Sequence, residues 1–197
     1  MTTADIKSAL RRFMNGDLAA QLRQRGMEYR LIFGIEIPRL RELAATLHAD
    51  HPDATDDEWQ QLAQALWTED IRECRLMALL LMPADRFSPM LCDVWLQGIL
   101  GKGSSSVEAA VELIDSLCMY LLRTQPNASD KAFAWIAAEP MLQQYAGYRL
   151  LTHLLRRGAL GGRDLVELRD QAATAESSAS PLLVLVARQA LQMAEGD

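Results

Sequence analysis

The chain has 197 residues, half of them hydrophobic and 23% charged, with a net charge of -6 and a pI near 5.1. This length suits a single domain with a full core. The acidic balance argues against a generally basic nucleic-acid binder, and no apolar run is long enough to cross a bilayer. Because the first 15 residues lack the apolar region of a signal peptide, a cytoplasmic location is expected.

Charges and cysteines are unevenly placed along the chain. Residues 1–45 carry eight lysines and arginines, whereas residues 48–70 contain seven acids and neither Lys nor Arg. The basic segment, residues 1–45, could therefore still bind a polyanion. The three cysteines lie far apart, without the short paired spacing of a zinc site, so they are expected to be buried, reduced thiols. No metal and no cofactor is predicted.

Helical periodicity recurs almost throughout, and strand-like alternation is nowhere sustained, so the chain is predicted to be all-α. The stretch FGIEIPRLRELA, residues 33–44, predicts a helix that begins at Pro38, where the missing N–H of proline costs nothing. Thr55 and Glu58 then form a capping box for a second helix. Its predicted apolar face consists of Trp59, Leu62, Ala63, Leu66 and Trp67.

The next segment, DIRECRLMALLLM (residues 70–82), predicts a helix capped by Asp70 and ended by Pro83. Its second half is apolar nearly all round, so it is expected to be a central helix. Further helices are predicted from Ser88 to about Leu100 and from Pro140 to Gly158. Three more are predicted over residues 130–138, after Gly161-Gly162 and after Ser180-Pro181. Another is predicted from an apolar stripe that consists of Val107, Ala110, Val111, Ile114, Leu117, Cys118, Leu121 and Leu122.

Three of these helices share a sequence pattern: each begins at a capping residue or a proline and continues through a small residue into leucines. Repetition at roughly 40–70 residues is typical of HEAT-like stacking, in which each helix pair buries its face against its neighbours. We therefore expect residues 1–197 to form one HEAT-like domain, a short right-handed superhelix with one concave surface. An ordinary helical bundle is the alternative.

Several stretches together resemble the DNA alkylation repair family of HEAT-like alkylpurine DNA glycosylases, from about Gly16 to Gly158. The resemblance implies a concave, positively charged face that cradles a DNA duplex. It also implies removal of bulky cationic alkylpurines without flipping the base into a deep pocket. The stretches that carry it are Tyr29 with FGIEIPRLRELA, LAQALWTEDIRECRLMALLLM, ELIDSLCMYLL and AWIAAEPMLQQYAGYRLLTHLL.

The family's catalytic pattern is only partly present. Its site uses a Trp-Asp-x-x-Asp helix segment, an Arg on a later helix and a Trp near the C-terminus. Here the first segment reads VELID, residues 111–115, so only its second acid, Asp115, matches directly. The Arg position falls on or near Tyr145, and all four tryptophans precede the last third of the chain. The resemblance therefore implies a member that lacks most of the catalytic pocket.

Asp115 also stands out by its position, four residues after Val111 and three before Cys118, at the margin of an apolar stripe. It is the candidate catalytic residue, where a carboxylate would steady a positive sugar or direct a water. The alternative is a structural ion pair or helix-to-loop hydrogen bond. Glu112 is expected to be a solvated neighbour.

Two sets of basic side chains are candidates for nucleic-acid contact. Tyr145, Arg149, His153 and Arg156 recur at helical spacing and form one predicted ridge, a composition suited to phosphates and unstacked bases. Arg72 and Arg75 lie about one turn apart on an earlier helix. The alternative is that Arg72 pairs with Glu69 or Glu73, and that the ridge is a solvated helix face.

Three functions remain open from the sequence. The first is a non-catalytic or degenerate HEAT-like protein that binds duplex DNA on its concave face. The second is an active alkylpurine glycosylase with Asp115 at its centre. The third is a protein-interaction scaffold, for which an acidic solenoid is normal.

Overall fold

A computed structural model describes residues 1–101 and 106–195, and its regular elements there are all helical, which confirms the all-α prediction. The chain divides into two compact units, unit 1 over Met1–Ser116 and unit 2 over Leu117–Asp197. Within the described residues, none of the helices combines the length and apolarity needed to span a membrane.

Unit 1 contains seven helices among its described residues and one 3-10 turn at Ala84–Arg86. The last helix, α7, runs one residue past the boundary of the unit. The helices are α1 (Thr3–Arg11), α2 (Gly16–Gln24), α3 (Ile37–Asp50), α4 (Asp56–Trp67), α5 (Arg72–Leu81), α6 (Pro89–Leu100) and α7 (Val107–Leu117).

Helix α5 is the central helix of unit 1, as its nearly continuous apolar surface predicts. It packs against α1, α3 and α4. Its side chains are buried almost all round, including Cys74, Leu76, Met77, Ala78, Leu79 and Leu81. Covering several faces at once removes most of the apolar area of α5 from water, and this burial is the main stabilising contribution.

In unit 1, three of the predicted helix starts are confirmed and one is wrong. Pro38 lies in the first turn of α3, the Thr55–Glu58 capping box begins α4, and Ser88 caps α6. Asp70 does not cap α5: the N-cap is Ile71, which makes no side-chain cap bond. The Asp70 carboxylate instead accepts a hydrogen bond from the Arg30 amide at 3.1 Å, because the main chain bridges Leu31 to Ile71 here.

Unit 2 begins with a π-helical turn, Cys118–Leu122, and continues with α8 (Ala128–Ile136), α9 (Met141–Leu155), α10 (Gly162–Ala175) and α11 (Pro181–Glu195). Helix α9 is its centre, packed against α8, α11 and the π turn. The helices α8 and α9 approach closely at Gly147, where a Cβ atom would lie 2.5 Å from the Ala132 carbonyl oxygen.

The cysteines occupy the interior of both units. Cys74, Cys92 and Cys118 are all buried free thiols, as predicted. Burial raises the pKa of the Cys74 thiol to about 12, so that side chain is a neutral core group at physiological pH.

Candidate functional site

The FGIEI loop before α3 is held by a buried carboxylate from the central helix of unit 1. Glu73 is fully buried, and its two oxygens accept the amides of Phe33, Gly34 and Ile35 at 2.9, 3.0 and 3.2 Å. Three backbone donors that no helix or strand satisfies thereby find acceptors, as buried amides require. The loop is thus fastened to α5 before Pro38 starts the next helix.

Arg72 completes this buried network. Its Nη1 donates to Glu73 and to the Ile35 carbonyl, both at 2.9 Å. Its Nε and Nη2 donate to the two carboxylate oxygens of Glu112 at 2.8 and 2.5 Å. Burial by itself would lower the pKa of Arg72, but the bonds and charges of Glu112 and Glu73 raise it overall. The guanidinium is therefore locked in its charged form between two acids.

This geometry corrects two predictions from the sequence. Arg72 is only 3% exposed and does not suit contact with DNA phosphates, whereas its alternative pairing with Glu73 is confirmed. Glu112 is not a solvated neighbour, because it is half-buried and forms the forked ion pair from α7 to α5. Both residues were misjudged for the same reason: the ion pair between Arg72 of α5 and Glu112 of α7 depends on how the helices pack, which helical spacing does not reveal.

Arg75 and Tyr29 lie beside the network. Arg75 is half-buried, donates to the Glu69 carbonyl at 3.2 Å, and places its guanidinium carbon 5.7 Å from the centre of the Tyr29 ring. The Tyr29 hydroxyl is buried without a hydrogen-bond partner among the described residues. Burial, with the nearby Glu112 charge, raises the pKa of Tyr29. The Arg75 side chain is therefore partly buried against Tyr29 and the main chain, and its predicted contact with DNA stays a prediction.

Asp115 lies on α7 between the buried residues Ile114 and Ser116, and its own side chain is partly exposed. It engages another group through a polar or electrostatic interaction. The margin position predicted from the helical spacing is therefore found in the structure. Its catalytic role stays a prediction.

The predicted ridge on α9 separates into buried and accessible members. Tyr145 and His153 are buried in unit 2, at 5% and 6% exposure, so they do not belong to a solvated face. The Nε2 atom of His153 has no hydrogen-bond partner in the described chain. Burial, reinforced by the charges of Arg149, Arg156 and Arg123, lowers the pKa of His153 to about 4. This imidazole is neutral at physiological pH.

The other two ridge residues remain together. Arg149, partly exposed, and Arg156, exposed, line a surface cleft of about 480 Å³ between α9 and α11. Opposite them lie Gln189, Gln192 and Met193 of α11. Guanidinium and amide groups in one cleft are donors suited to phosphate oxygens. We call this the α9–α11 cleft.

Several features of interest were not predicted. Glu73 was named only as a possible partner of Arg72, and its bonds to the amides of the FGIEI loop were not foreseen. Two further arginines, Arg123 and Arg157, gave no signal, since they belong to helix ends that only the fold places around one cleft. Across residues 1–101 and 106–195, no three His, Cys, Asp or Glu side chains are grouped to hold a metal ion.

In each of the two units the helices pack around a central helix, and the candidate site residues described above lie on helix faces and at helix ends. Residues 6–179 match the family model described as DNA alkylation repair enzyme, and the chain therefore belongs to that family. The resemblance stated from the sequence is thus confirmed. No curated protein matches the chain. No solved structure matches it either.

Proposed function

We propose that this chain is a HEAT-like member of the DNA alkylation repair family that binds duplex DNA without excising bases. The observation that carries the proposal is the α9–α11 cleft, where Arg149 and Arg156 face two glutamine side chains. Family membership supplies the partner class, and the cleft supplies donors for the phosphate backbone.

The distribution of charge supports contact through unit 2. That unit contains eight lysines and arginines and eight aspartates and glutamates, so the whole net charge of -6 belongs to unit 1. The arginines that surround His153 therefore do not lie in a generally acidic unit. Arg156 in addition forms no ion pair within the described part of the chain. A cation without a carboxylate partner is available to a phosphate.

Three features favour a non-catalytic member. The tryptophan of the family's segment is replaced by Val111, and Glu112 is committed to the ion pair with Arg72. Tyr145, at or near the position of the family's arginine, is buried. Recognition of a cationic base relies on aromatic faces and charged walls, which these replacements remove. Asp115 alone provides a carboxylate at the matching position.

DNA binding can be measured with a short duplex at low salt. We expect Arg156→Gln to weaken binding and to reduce the slope of log K against log salt by about 0.9, the contribution of one phosphate contact. Arg163→Gln is the matched control: it removes one exposed arginine of α10 that does not line the cleft, and it should leave the slope unchanged. If the wild type does not bind even in dilute buffer, the DNA proposal fails and a protein scaffold becomes the better hypothesis.

Base excision can be tested separately on methylated duplex DNA. We expect no release of 7-methylguanine or 3-methyladenine above the spontaneous rate, and no difference between the wild type and Asp115→Asn. Release by the wild type that Asp115→Asn abolishes would show an active glycosylase and overturn the non-catalytic proposal. Thermal denaturation of both proteins controls for loss of folding.

A further inference from the structure

A second cleft lined by arginines lies in unit 2, just after the end of α9, where Arg157 follows Arg156 of the α9–α11 cleft. Its volume is about 230 Å³. Its lining includes Arg123, Thr124, Ser129, Leu154 and Arg157. It shares no lining residue with the α9–α11 cleft. The two clefts are therefore separate sites.

The local backbone explains why both arginines reach this cleft. Arg123 directly follows the π turn, and its amide closes a wide turn by donating to the Cys118 carbonyl at 3.1 Å. Arg157 lies where α9 ends: Gly158 takes φ +61°, and the Ala159 amide returns to the Leu154 carbonyl at 3.0 Å. This is the left-handed glycine stop common at helix ends. Both cations thus come from helix ends whose position is set by backbone bonds.

The polar groups of the cleft are donors of the kind that an oxyanion uses. Thr124 and Ser129 supply hydroxyl groups, and Ala128 and Ser129 belong to the first turn of α8. The N-cap residue of α8, Asn127, makes no side-chain cap hydrogen bond. The first amides of α8 point toward its N-terminal end, which is the positive end of the helix dipole. The N-terminus of α8 contributes a partial positive charge to the cleft, but the two guanidinium groups are its main donors.

Among residues 1–101 and 106–195, no carboxylate forms an ion pair with Arg123 or Arg157. The one acid in the first turn of α8, Asp130, is exposed and does not line the cleft. An anion that enters would contact two guanidinium groups, and no carboxylate of the described residues would have to be displaced first.

We propose that the cleft of Arg123 and Arg157 binds a phosphate group, with both guanidinium groups and the hydroxyls of Thr124 and Ser129 as donors. The ligand class is a phosphate oxyanion, which inorganic phosphate, a 5′-terminal phosphate and an internal phosphodiester all share. The proposal does not depend on DNA binding at the α9–α11 cleft, because the two clefts have different lining residues.

The site can be tested by titrating inorganic phosphate into the full chain and following the Nε–H signals of the arginines by NMR, against chloride at equal ionic strength. We expect saturable shifts of Arg123 and Arg157, and an affinity about tenfold weaker in either Arg123→Gln or Arg157→Gln, the scale of one charged hydrogen bond. Arg163→Gln should bind like the wild type. Shifts that do not saturate, or equal affinity in Arg157→Gln, would refute the site.

Duplexes identify the source of the phosphate. Tighter binding of a 5′-phosphorylated duplex than of its 5′-hydroxyl counterpart, lost in Arg157→Gln, supports a terminal phosphate. Equal binding of both duplexes with shifts at Arg157 supports an internal phosphodiester, and shifts with inorganic phosphate alone support a free-anion site. Arg156→Gln separates the two proposals, because it should weaken duplex binding while leaving the phosphate-induced shifts of Arg123 and Arg157 unchanged.

Discussion

Replacing Glu73 with glutamine is expected to destabilise unit 1 by about 3–5 kcal/mol, the cost of removing one partner from a buried ion pair. The substitution keeps the shape of the side chain but removes the charge that balances Arg72. It also places an amide NH₂ donor where the carboxylate accepts three backbone amides and a guanidinium. Donors would then face donors inside the core, with some of them left unsatisfied.

Urea denaturation gives the change in free energy of unfolding, and hydrogen exchange localises it. In Glu73→Gln the amides of Phe33, Gly34 and Ile35 should lose protection before the rest of unit 1. Glu42→Gln is the matched control, because its ion pair with Arg39 is exposed and should contribute no more than about 0.5 kcal/mol. A Glu73→Gln protein within about 1 kcal/mol of the wild type would contradict the role assigned to this carboxylate.

Gly34→Ala is expected to destabilise unit 1 by about 3 kcal/mol or more. The backbone of Gly34 has φ +74°, a conformation that residues with a Cβ adopt only at a cost. A Cβ atom there would lie 2.1 Å from the Asn15 carbonyl oxygen and 2.7 Å from the Ala19 amide nitrogen. Both are backbone atoms at the start of α2, so relief would require the helix to move away from the loop.

The melting temperature and urea midpoint of Gly34→Ala measure this effect. Two other glycines serve as controls. Gly158 has φ +61° but open space around its Cβ position, so Gly158→Ala reports the conformational cost alone, about 1 kcal/mol. Gly162 starts α10 with open space and no positive φ, so Gly162→Ala should be neutral. If Gly34→Ala is no worse than Gly158→Ala, the close approach of α2 does not contribute.

Both large effects concern the loop that precedes Pro38, and neither is visible in the sequence. The apolar letters of FGIEIP indicate burial, and the proline correctly predicts a helix start. They do not indicate that three consecutive amides need an acceptor from outside the loop. That acceptor, Glu73, lies about 40 residues away along the chain, and only the packing of α3 on α5 brings it there.

The same limit applies to the candidate nucleic-acid residues. Helical spacing correctly placed Tyr145, Arg149, His153 and Arg156 on neighbouring turns, but spacing does not tell which part of a helix faces a neighbour. Because α9 is covered by both α8 and α11, Tyr145 and His153 are buried while the arginines near them remain accessible. A helix with one neighbour would have left the predicted ridge on the surface.

By itself the sequence determined the all-helical class, the central position of α5, three helix starts and the family, because periodicity, caps and prolines act over a few residues and the family pattern extends over most of the chain. Only the tertiary structure decided which arginines form buried ion pairs and which line a surface cleft. Arg72 is enclosed by Glu73 and Glu112, whereas Arg123 and Arg157 meet around one cleft without an acid among the described residues. Charge pairing depends on distance in space, and that distance is set when the helices pack.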